Sequence, residues 1–342
     1  MKVIRLYSHG SVENLKLEEE EIPKIKPNHV LIKIIACSLN RLDIWTRIGY
    51  PGVKVPFPII LGSDIAGVIE DVGEGVERFK KDDKVVLYPA ITCNNCEYCI
   101  AGEHSLCDNL KILGHLTDGG YREYMLAPID IVYKFNPDRS FEEAASLPVT
   151  GTTAWRIVFN KANPKPGNIA FVWGASSGTG IMLIELLKLI GCKVISTAGN
   201  EEKIEKAYKL GCDLVINYKT EDVLSKVSEF TNYKGVDLVV DSVGSSTFET
   251  SLKICKKGGK VIFFGATSGD QVSFSIRPPY RKQISIIGSY LGSKSDFNEI
   301  LKLFNENKIK PIIDSVFKLE EAPLAHSRME KGLHFGKILL KP

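Results

Sequence analysis

Short apolar runs alternate with helix-like segments through the second half of the chain. Residues 169–173 are apolar and rich in β-forming side chains, as in a buried strand. After Gly180, apolar residues recur at helical spacing, for example at Ile181, Ile184 and Leu187. Strand-like runs and helical segments then repeat, which predicts a doubly wound parallel sheet of the α/β class. The predicted strands span residues 169–173, 194–197, 214–216, 236–241, 260–264 and 284–287.

The first 90 residues have a different pattern. Apolar and polar residues nearly alternate over 30–37, 65–72 and 84–87, turns are indicated at 50–52, 73–75 and 81–83, and no helical period dominates. This pattern predicts a β-rich, partly barrel-like domain. From about residue 293 the pattern is mixed, with helices predicted near 297–305 and 322–331 and strands over 312–317 and 336–340.

A glycine-rich turn joins the first predicted strand of the second half to its helix. Gly174, Gly178 and Gly180 let the backbone approach a pyrophosphate, and the helix N-terminus supplies free N–H groups. The match to G-x-G-x-x-G is imperfect, because alignment on Gly180 leaves Ala175 and Ser177 at the first two glycine positions. A tight βα loop without a ligand is the simpler interpretation. The six alternating strands around it favour a dinucleotide-binding unit.

Four of the eight cysteines fall within fifteen residues, at spacings of two, two and seven. Four thiolates so spaced can surround a zinc ion, and such clusters in reduced compartments usually bind metal. An iron–sulfur cluster is the alternative, although its third gap is usually three residues, and free thiols are a further one. Full thiolate ligation leaves no open coordination position, so the predicted metal is structural. The predicted ligands are Cys93, Cys96, Cys99 and Cys107.

Composition narrows the class of protein. A chain of 342 residues accommodates two domains of about 150 residues each. The net charge of +3 with mixed signs gives no reason to expect a nucleic-acid partner. The N-terminus lacks the apolar core of a signal peptide, and no apolar run reaches membrane-spanning length. We therefore expect a cytoplasmic enzyme with a small-molecule substrate and no membrane partner.

Three motifs, taken with these features, identify a family. They are Leu-Gly-Ser-Asp-Ile-Ala-Gly-Val at 61–68, Asp-Gly-Gly-Tyr-Arg-Glu-Tyr at 118–124 and Leu-Pro-Val-Thr-Gly-Thr-Thr-Ala-Trp at 147–155. The chain resembles the medium-chain dehydrogenase/reductase family of zinc-type alcohol dehydrogenases and quinone oxidoreductases. The resemblance implies a GroES-like catalytic domain formed by 1–150 with 289–342, and a Rossmann cofactor domain at 151–288. It also implies a homodimer or homotetramer, with pairing through the edge strand at 284–287.

The chain departs from the zinc alcohol dehydrogenases at the catalytic metal. Those enzymes bind a second zinc through a cysteine, a histidine and a cysteine or aspartate, and motif alignment places Asn40, Ser63 and Val149 there. These three side chains cannot replace two thiolates and an imidazole. Asp64 stands at the position of a glutamate, and Asp43 matches the motif's aspartate. The resemblance therefore implies one structural zinc per chain and no catalytic zinc.

A second departure concerns the ribose of the cofactor. An NAD site has an acidic residue about twenty residues after the glycines, whereas this chain has Ala198. In NADP-using relatives, a lysine and a tyrosine at the positions of Lys203 and Tyr218 contact the 2′-phosphate. An N-capped surface helix explains the segment equally simply. We expect NADP to be preferred, with NAD as the alternative.

Together these features predict an NAD(P)H-dependent reductase that transfers hydride to a carbonyl, enone or quinone. Asn40 and Ser63 are the candidate donors to the substrate oxygen, and Asp43 and Asp64 are further catalytic candidates. Tyr50 and His115 are lesser ones. The predicted cofactor-binding residues are Thr150, Gly174, Ser177, Gly178, Thr179, Gly180, Thr197, Ala198, Gly199, Lys203, Tyr218, Val243, Gly265 and Ala266.

Two alternatives remain open from the sequence. In the first, the protein is an alcohol dehydrogenase that recruits a catalytic metal through Asp64. In the second, it is a redox-inactive NADPH-binding structural or sensor protein, as lens crystallins of the family illustrate. Turnover of enones, quinones and aldehydes distinguishes an enzyme from the second alternative.

Overall fold

The computed structural model describes all 342 residues and divides them into two compact units. One unit comprises Met1–Thr152 and Ser293–Pro342, and the other comprises Thr153–Gly292. The sequence prediction placed these two junctions at 150/151 and 288/289. No helix is both long enough and apolar enough to cross a membrane.

Strands outnumber helices in the first 152 residues. They form β1 (Lys2–Leu6), β2 (Leu15–Glu19), β3 (His29–Ser38), β4 (Ile59–Ile60), β5 (Asp64–Val72), β6 (Lys84–Leu87), β7 (Ala90–Ile91), β8 (Lys111–Ile112), β9 (Tyr124–Pro128) and β10 (Val132–Lys134). The helices of this part are α1 (Arg41–Ile48), α2 (Glu97–Ile100), α3 (Phe141–Ala144) and α4 (Pro148–Trp155). The long strands β3 and β5 pair antiparallel, and this pairing sets Ser38 opposite Asp64.

Helix α1 is a correction to the sequence analysis, which found no helical period in this region. Asn40 and Asp43 have the arrangement of a capping box at its N-terminus, in which the Asp43 carboxylate accepts from the Asn40 N–H and the Asp43 N–H donates to the Asn40 carbonyl. The helix is short and its apolar stripe is interrupted by Arg41, Asp43 and Arg47. Its start could have been recognised from the capping residues, but not from hydrophobic periodicity.

The second unit has the predicted alternation. Its elements are β11 (Ile169–Val172), α5 (Gly178–Ile190), β12 (Lys193–Ala198), α6 (Glu201–Lys209), β13 (Leu214–Asn217), α7 (Val223–Phe230), β14 (Val236–Asp241), α8 (Phe248–Ile254), β15 (Cys255–Phe263), α9 (Arg277–Lys282) and β16 (Ser285–Gly288), and Arg156–Ala162 precedes them as a π-helix. The six strands are parallel in the order β13-β12-β11-β14-β15-β16. The predicted doubly wound sheet is confirmed.

Side chains from the strands of this sheet and from α7 and α8 form one apolar cluster. Phe171 and Val239 from adjacent strands are fully buried, and the rings of Phe171 and Trp173 lie 4.9 Å apart, edge to face. Burying a side chain of this size stabilises the fold by about 1.5–3 kcal/mol. At the sheet edge, β16 exposes Ile286, and Tyr290 beyond it is also exposed. Pairing of two copies through this edge stays a prediction.

The last 50 residues return to the first unit. They form α10 (Lys294–Asn305), β17 (Ile313–Lys318), α11 (Ala322–Glu330) and β18 (Lys337–Lys341). Strand β18 adds antiparallel to β3, with Leu339 opposite Ser38 and Leu340 opposite Cys37, and β17 lies parallel beside it. This insertion brings Lys337 to the ends of β3 and β5, where the catalytic candidates lie.

Candidate functional site

The glycine-rich turn lies at the carboxyl end of β11 and is held by side chains. The Ser177 hydroxyl oxygen accepts from the Gly180 N–H at 2.9 Å, and the Thr197 hydroxyl oxygen accepts from the Gly174 N–H at 3.1 Å. Gly174 has a φ of +80°, and a side chain at Gly180 would overlap the Gly174 carbonyl. The departure from G-x-G-x-x-G thus has a physical reason, because Ser177 is the N-cap of α5.

The helix that follows can receive a pyrophosphate. Backbone N–H groups at the first turn of α5 have no intrahelical acceptor, and glycine at 178 and 180 leaves that turn without bulky side chains. The predicted residues Gly174, Ser177, Gly178, Thr179, Gly180 and Thr197 all lie in or against this turn. These residues fit a dinucleotide phosphate.

Asp241, which the sequence analysis missed, organises the neighbouring loop. Its carboxylate is fully buried at the end of β14 and accepts from the Val243 and Gly244 N–H groups and from the Thr247 and Ser251 hydroxyls. The predicted cofactor residue Val243 therefore has its N–H engaged within the protein. The sequence signal that could have identified Asp241 is an acidic residue at the carboxyl end of an apolar strand.

The end of β12 carries the predicted ribose site. Ala198 is buried, and the Tyr218 hydroxyl lies so close to Gly199 that a Cβ there would be 2.8 Å from it. The Lys219 side chain approaches the same point, at 3.2 Å from that Cβ position. Asn200 caps α6 by accepting from the Lys203 N–H at 3.0 Å. Lys219 is a second cation near the ribose position that sequence analysis did not identify.

Three residues were predicted to contact the nicotinamide half of the cofactor, and their surroundings give less indication of a binding site. The Thr150 hydroxyl donates to the Ser146 carbonyl at 2.7 Å and is nearly buried. Gly265 and Ala266 directly follow Phe264 beyond β15 and are half-buried. A side chain at Gly265 would approach the Ser242 carbonyl within 2.9 Å. Their contact with a cofactor stays a prediction.

A buried polar cluster joins three distant parts of the first unit. The Lys337 ammonium donates to Asn40 Oδ1 at 2.7 Å and to Asp64 Oδ2 at 3.0 Å, and Asn40 Nδ2 donates to Asp64 Oδ2 at 2.9 Å. The Val149 N–H also donates to the Asp64 carboxylate at 2.8 Å, and the Ser38 hydroxyl lies 3.2 Å from that carboxylate while it donates to the Ala145 carbonyl at 2.7 Å. The Lys337 and Asp64 side chains are 4% and 0% exposed. This cluster of Asn40, Asp64 and Lys337 is called the Lys337 cluster below.

The Lys337 cluster includes Asn40, one of the three residues that motif alignment sets at the family's catalytic zinc ligands, and it contacts a second, Val149. Val149 contributes only its backbone N–H, and Asn40 is held between a cation and a carboxylate. Across the whole chain, the only group of three or more His, Cys, Asp or Glu side chains close enough to share a metal is the cysteine group. The donor set beside Lys337 therefore does not fit a zinc ion.

The two remaining catalytic candidates bond inside the protein. The Ser63 hydroxyl is fully buried and donates to the Leu113 carbonyl at 2.7 Å. The Asp43 carboxylate accepts from the Asn40 N–H at 2.7 Å and from the Gly62 N–H at 3.0 Å. Burial raises the pKa of Asp43 to about 7 despite these two bonds. For Ser63 to donate to a substrate, its present hydrogen bond would have to break.

Tyr50 and His115 form a hydrogen-bonded pair. The Tyr50 hydroxyl lies 3.0 Å from His115 Nε2, and the two rings stack with a 13° angle between their planes. His115 Nδ1 lies 2.8 Å from the Thr46 hydroxyl, which itself donates to the Leu42 carbonyl at 2.8 Å. Because the Thr46 proton is used, Nδ1 is the donor and Nε2 accepts from Tyr50. Burial lowers the pKa of His115 and so favours the neutral ring.

The cysteine lobe, residues 90–110, presents four thiols to one point. The four Sγ atoms lie within 4.8 Å of one another, and Cys93 Sγ is 3.5 Å from Cys107 Sγ and 3.9 Å from Cys99 Sγ. Tetrahedral Zn–S bonds of about 2.3 Å require S···S separations near 3.8 Å. The four side chains fit one zinc ion after shifts of the sulfur atoms of about 1 Å or less.

Hydrogen bonding and charge in the cysteine lobe agree with metal binding. Backbone N–H groups of Asn95 and Cys96 lower the pKa of Cys93 to about 6, which favours the thiolate. Burial and the neighbouring thiols raise the pKa of Cys99 to about 12. Several thiolates at such distances repel one another, and a divalent cation removes that repulsion.

Comparison with known proteins gives a consistent result. The family model described as alcohol dehydrogenase GroES-like domain matches residues 26–137, and that described as zinc-binding dehydrogenase matches 178–306. The NAD-dependent alcohol dehydrogenase of Sulfurisphaera tokodaii is 36% identical over 352 aligned positions, covering 100% of both chains. The quinone oxidoreductase of Mus musculus is 31% identical, covering 99% of this chain and 97% of its own. A solved structure of an NAD-dependent alcohol dehydrogenase has a TM-score of 0.96 and 38% identity, with full coverage of both chains.

Proposed function

The chain belongs to the medium-chain dehydrogenase/reductase family, and we propose that it reduces a conjugated carbonyl or a quinone with NADPH and without a catalytic metal. It is an NAD(P)-dependent oxidoreductase. The observation that carries the proposal is the Lys337 cluster, in which a buried ammonium group binds Asn40, the residue aligned with a catalytic zinc ligand, and the neighbouring Asp64.

A divalent cation at the Lys337 cluster would be unfavourable. Asp64 already accepts from three donors, Asn40, Val149 and Lys337, and the Lys337 ammonium is 3.0 Å from its carboxylate. A second cation would be repelled by that ammonium in a buried site, where charges interact strongly. This argument also weighs against recruitment of a metal through Asp64.

Asn40 is the donor that we assign to the substrate oxygen. One of its two amide hydrogens binds Asp64, which leaves the second for a ligand. The Lys337 ammonium, bound to Asn40 Oδ1, polarises the amide and strengthens that donor. NADPH supplies the hydride when it is bound. As hydride reaches an enone, negative charge develops on the carbonyl oxygen, and a donor held in place stabilises it.

Tyr50 is the group that we assign to proton delivery. The substrate carbon or oxygen needs one proton after hydride transfer, and Tyr50 is a half-buried residue in the same unit as Asn40. Neutral His115 holds that hydroxyl at 3.0 Å, and Thr46 fixes the histidine tautomer. For this step the Tyr50 hydroxyl would turn its one proton from His115 Nε2 to the substrate, and the resulting tyrosinate would regain a proton from solvent.

The variant Tyr50→Phe tests this assignment, because it removes one oxygen and leaves the ring against His115. We expect kcat for enone reduction to fall about 100-fold or more, in the range found for lost acid–base groups. Affinity for NADPH should be unchanged in a fluorescence titration. An unchanged kcat together with an unchanged solvent isotope effect would assign the proton to another donor.

The proposed preference for NADPH rests on the end of β12. No carboxylate follows the strand at Ala198, so nothing there repels a 2′-phosphate, and Lys203 and Lys219 lie nearby. The alcohol dehydrogenase relatives described above are named as NAD-dependent, which favours NAD as the second candidate.

Lys203→Ala should raise the KM for NADPH more than the KM for NADH, because only the former carries the 2′-phosphate. The double variant Lys203→Ala/Lys219→Ala should show a larger difference. Steady-state kinetics with both cofactors measures it, with Lys209→Ala on the same helix as the control. Equal affinity of the wild type for NADPH and NADH by calorimetry would contradict the preference.

Turnover of a substrate panel tests the proposed function as a whole. The zinc-loaded protein should reduce enones or quinones faster than it oxidises ethanol. Faster alcohol oxidation would favour the second candidate, an alcohol dehydrogenase, to which the relatives with full coverage point. NADPH binding without turnover of any substrate would favour a structural or sensor protein.

A further inference from the structure

A basic cavity lies in the second unit, at the edge of the sheet opposite the glycine-rich turn. Its volume is about 510 Å³, within the range of small-molecule sites. The end of α7, the start of β15 and the loop before β14 line it. Because β14 is six residues long, this edge lies about 20 Å from its carboxyl end, where Asp241 lies. The cavity is therefore separate from the predicted cofactor site.

Five lysines line this cavity, and their charge is only partly compensated. Lys253 pairs with Glu249 and Lys256 pairs with Asp237. The exposed side chains of Lys234 and Lys257 make no ion pair, and Lys282 donates to three backbone carbonyls instead of an acid. Lys234 and Lys257 thus bring two positive charges to the cavity without a carboxylate partner, whereas the Lys282 ammonium has its hydrogens bound to carbonyls, and this excess of positive charge is the electrostatic environment of an anion site.

An aromatic ring stands beside these lysines in an unusual backbone conformation. Tyr233 has a φ of +61° and its side chain is 83% exposed. A bulky residue in the left-handed region costs free energy, and such positions concentrate at functional sites. Hydrogen bonds hold the loop in place, from the Tyr233 N–H to the Ser228 carbonyl at 2.7 Å and from the Gly235 N–H to the Thr231 hydroxyl at 3.1 Å.

The cavity is suited to binding rather than to covalent chemistry. Cys255 is the only cysteine that lines the cavity. Burial raises the pKa of the Cys255 thiol to about 12, so the thiol stays protonated and is a poor nucleophile. The Gly235 backbone packs against the Ile254 carbonyl so closely that a Cβ would lie 2.6 Å from it. The cavity is thus preformed by close backbone packing.

We propose that this cavity binds a nucleoside polyphosphate as a second ligand, distinct from the redox cofactor. The ammonium groups of Lys234 and Lys257 would bind the phosphates, and the exposed Tyr233 ring would stack on the base. An anion with a flat aromatic group uses both features, whereas inorganic phosphate uses only the lysines. This inference does not depend on the substrate or on the metal-free mechanism proposed above.

Calorimetric titration of the zinc-loaded protein with ATP tests the inference, with NADPH saturating so that the redox site is filled. We expect one ATP per chain to bind. The double variant Lys234→Ala/Lys257→Ala should weaken binding about tenfold or more. The control Lys193→Ala/Lys209→Ala removes the same charge from other exposed positions of this unit and should leave affinity unchanged.

The variant Tyr233→Ala distinguishes the contribution of the base to ATP binding from that of the phosphates. It should weaken ATP about tenfold, as loss of one stacking contact does, and leave inorganic tripolyphosphate unchanged. Absence of ATP binding under saturating NADPH would overturn the inference, as would equal losses in the two double variants. Tighter binding of a single-stranded oligonucleotide than of ATP would overturn it in favour of a nucleic-acid surface.

Discussion

Replacing Cys96 by Ser is expected to remove zinc from the protein and to unfold the cysteine lobe. The lobe contains only short elements, α2 of four residues and a 3₁₀ turn at His104–Leu106, and it exposes Ile100 and Leu106. So little apolar burial cannot order the segment without the metal. Zinc binding to such sites contributes about 10–16 kcal/mol at neutral pH, and that free energy is folding free energy. Elemental analysis should show zinc falling from about one per chain to a small fraction of that.

Limited proteolysis should then cut within residues 90–110 of the variant while the rest of the chain persists. Cys212→Ala is the matched control, because Cys212 is a buried thiol outside the cysteine lobe and should leave the zinc content unchanged. Two zinc ions per chain, or iron in place of zinc, would contradict the assignment. So would full zinc retention by Cys96→Ser.

The sequence was sufficient to predict structural features that depend on residues close together in the chain. Parallel strands buried on both faces read as continuous apolar runs, so β11 and β14 were found at nearly their observed limits. The cysteine spacing places the ligands on one short segment, where local geometry alone brings them together. Ser177 and Gly180 were recognised for the same reason, because they lie three residues apart on one turn.

Features that depend on long-range register were missed. Lys337 lies 273 residues after Asp64, and only the pairing of β18 with β3 brings the two within 3.0 Å. The contact of Tyr50 with His115 spans 65 residues and depends on the packing of two loops. Hydrophobic periodicity reports which face of a strand is buried but not which strand lies beside it. The sequence therefore predicted that no catalytic zinc binds, but it did not show that Lys337 lies beside Asn40 and Asp64.

Enone or quinone reduction is expected to exceed ethanol oxidation by orders of magnitude. A zinc ion contributes several kcal/mol of charge stabilisation and lowers the pKa of a bound alcohol, and each 1.36 kcal/mol is about tenfold in rate. The Lys337 cluster has a positive charge, but the ammonium is covered by Asn40 and Asp64 and is 4% exposed. It can polarise Asn40 but cannot coordinate an alkoxide. An enone delocalises the incoming charge and needs only hydrogen bonds.

Asn40→Ala should lower kcat and kcat/KM together, which is the signature of a contact made in the transition state. Ser63→Ala is the informative comparison, because the Ser63 hydroxyl donates to the Leu113 carbonyl and is fully buried. If the structure's hydrogen bonds persist during turnover, Ser63→Ala should change kcat far less than Asn40→Ala does. Equal losses in the two variants would mean that Ser63 leaves Leu113 to bind the substrate.

A brief exposure to chelator distinguishes a structural zinc in the cysteine lobe from a catalytic zinc. Because the four thiolates of the cysteine lobe enclose their ion, it should exchange slowly, whereas a catalytic zinc with an open position is reached readily. Reductase activity should therefore survive a treatment that leaves one zinc per chain. Loss of turnover while the lobe keeps its zinc would contradict the metal-free mechanism, as would anomalous scattering from zinc beside Ser63 and Asp64. If neither outcome is observed, hydrogen bonding by the Asn40 amide, polarised by the Lys337 ammonium, is sufficient to stabilise the charge that develops on the substrate.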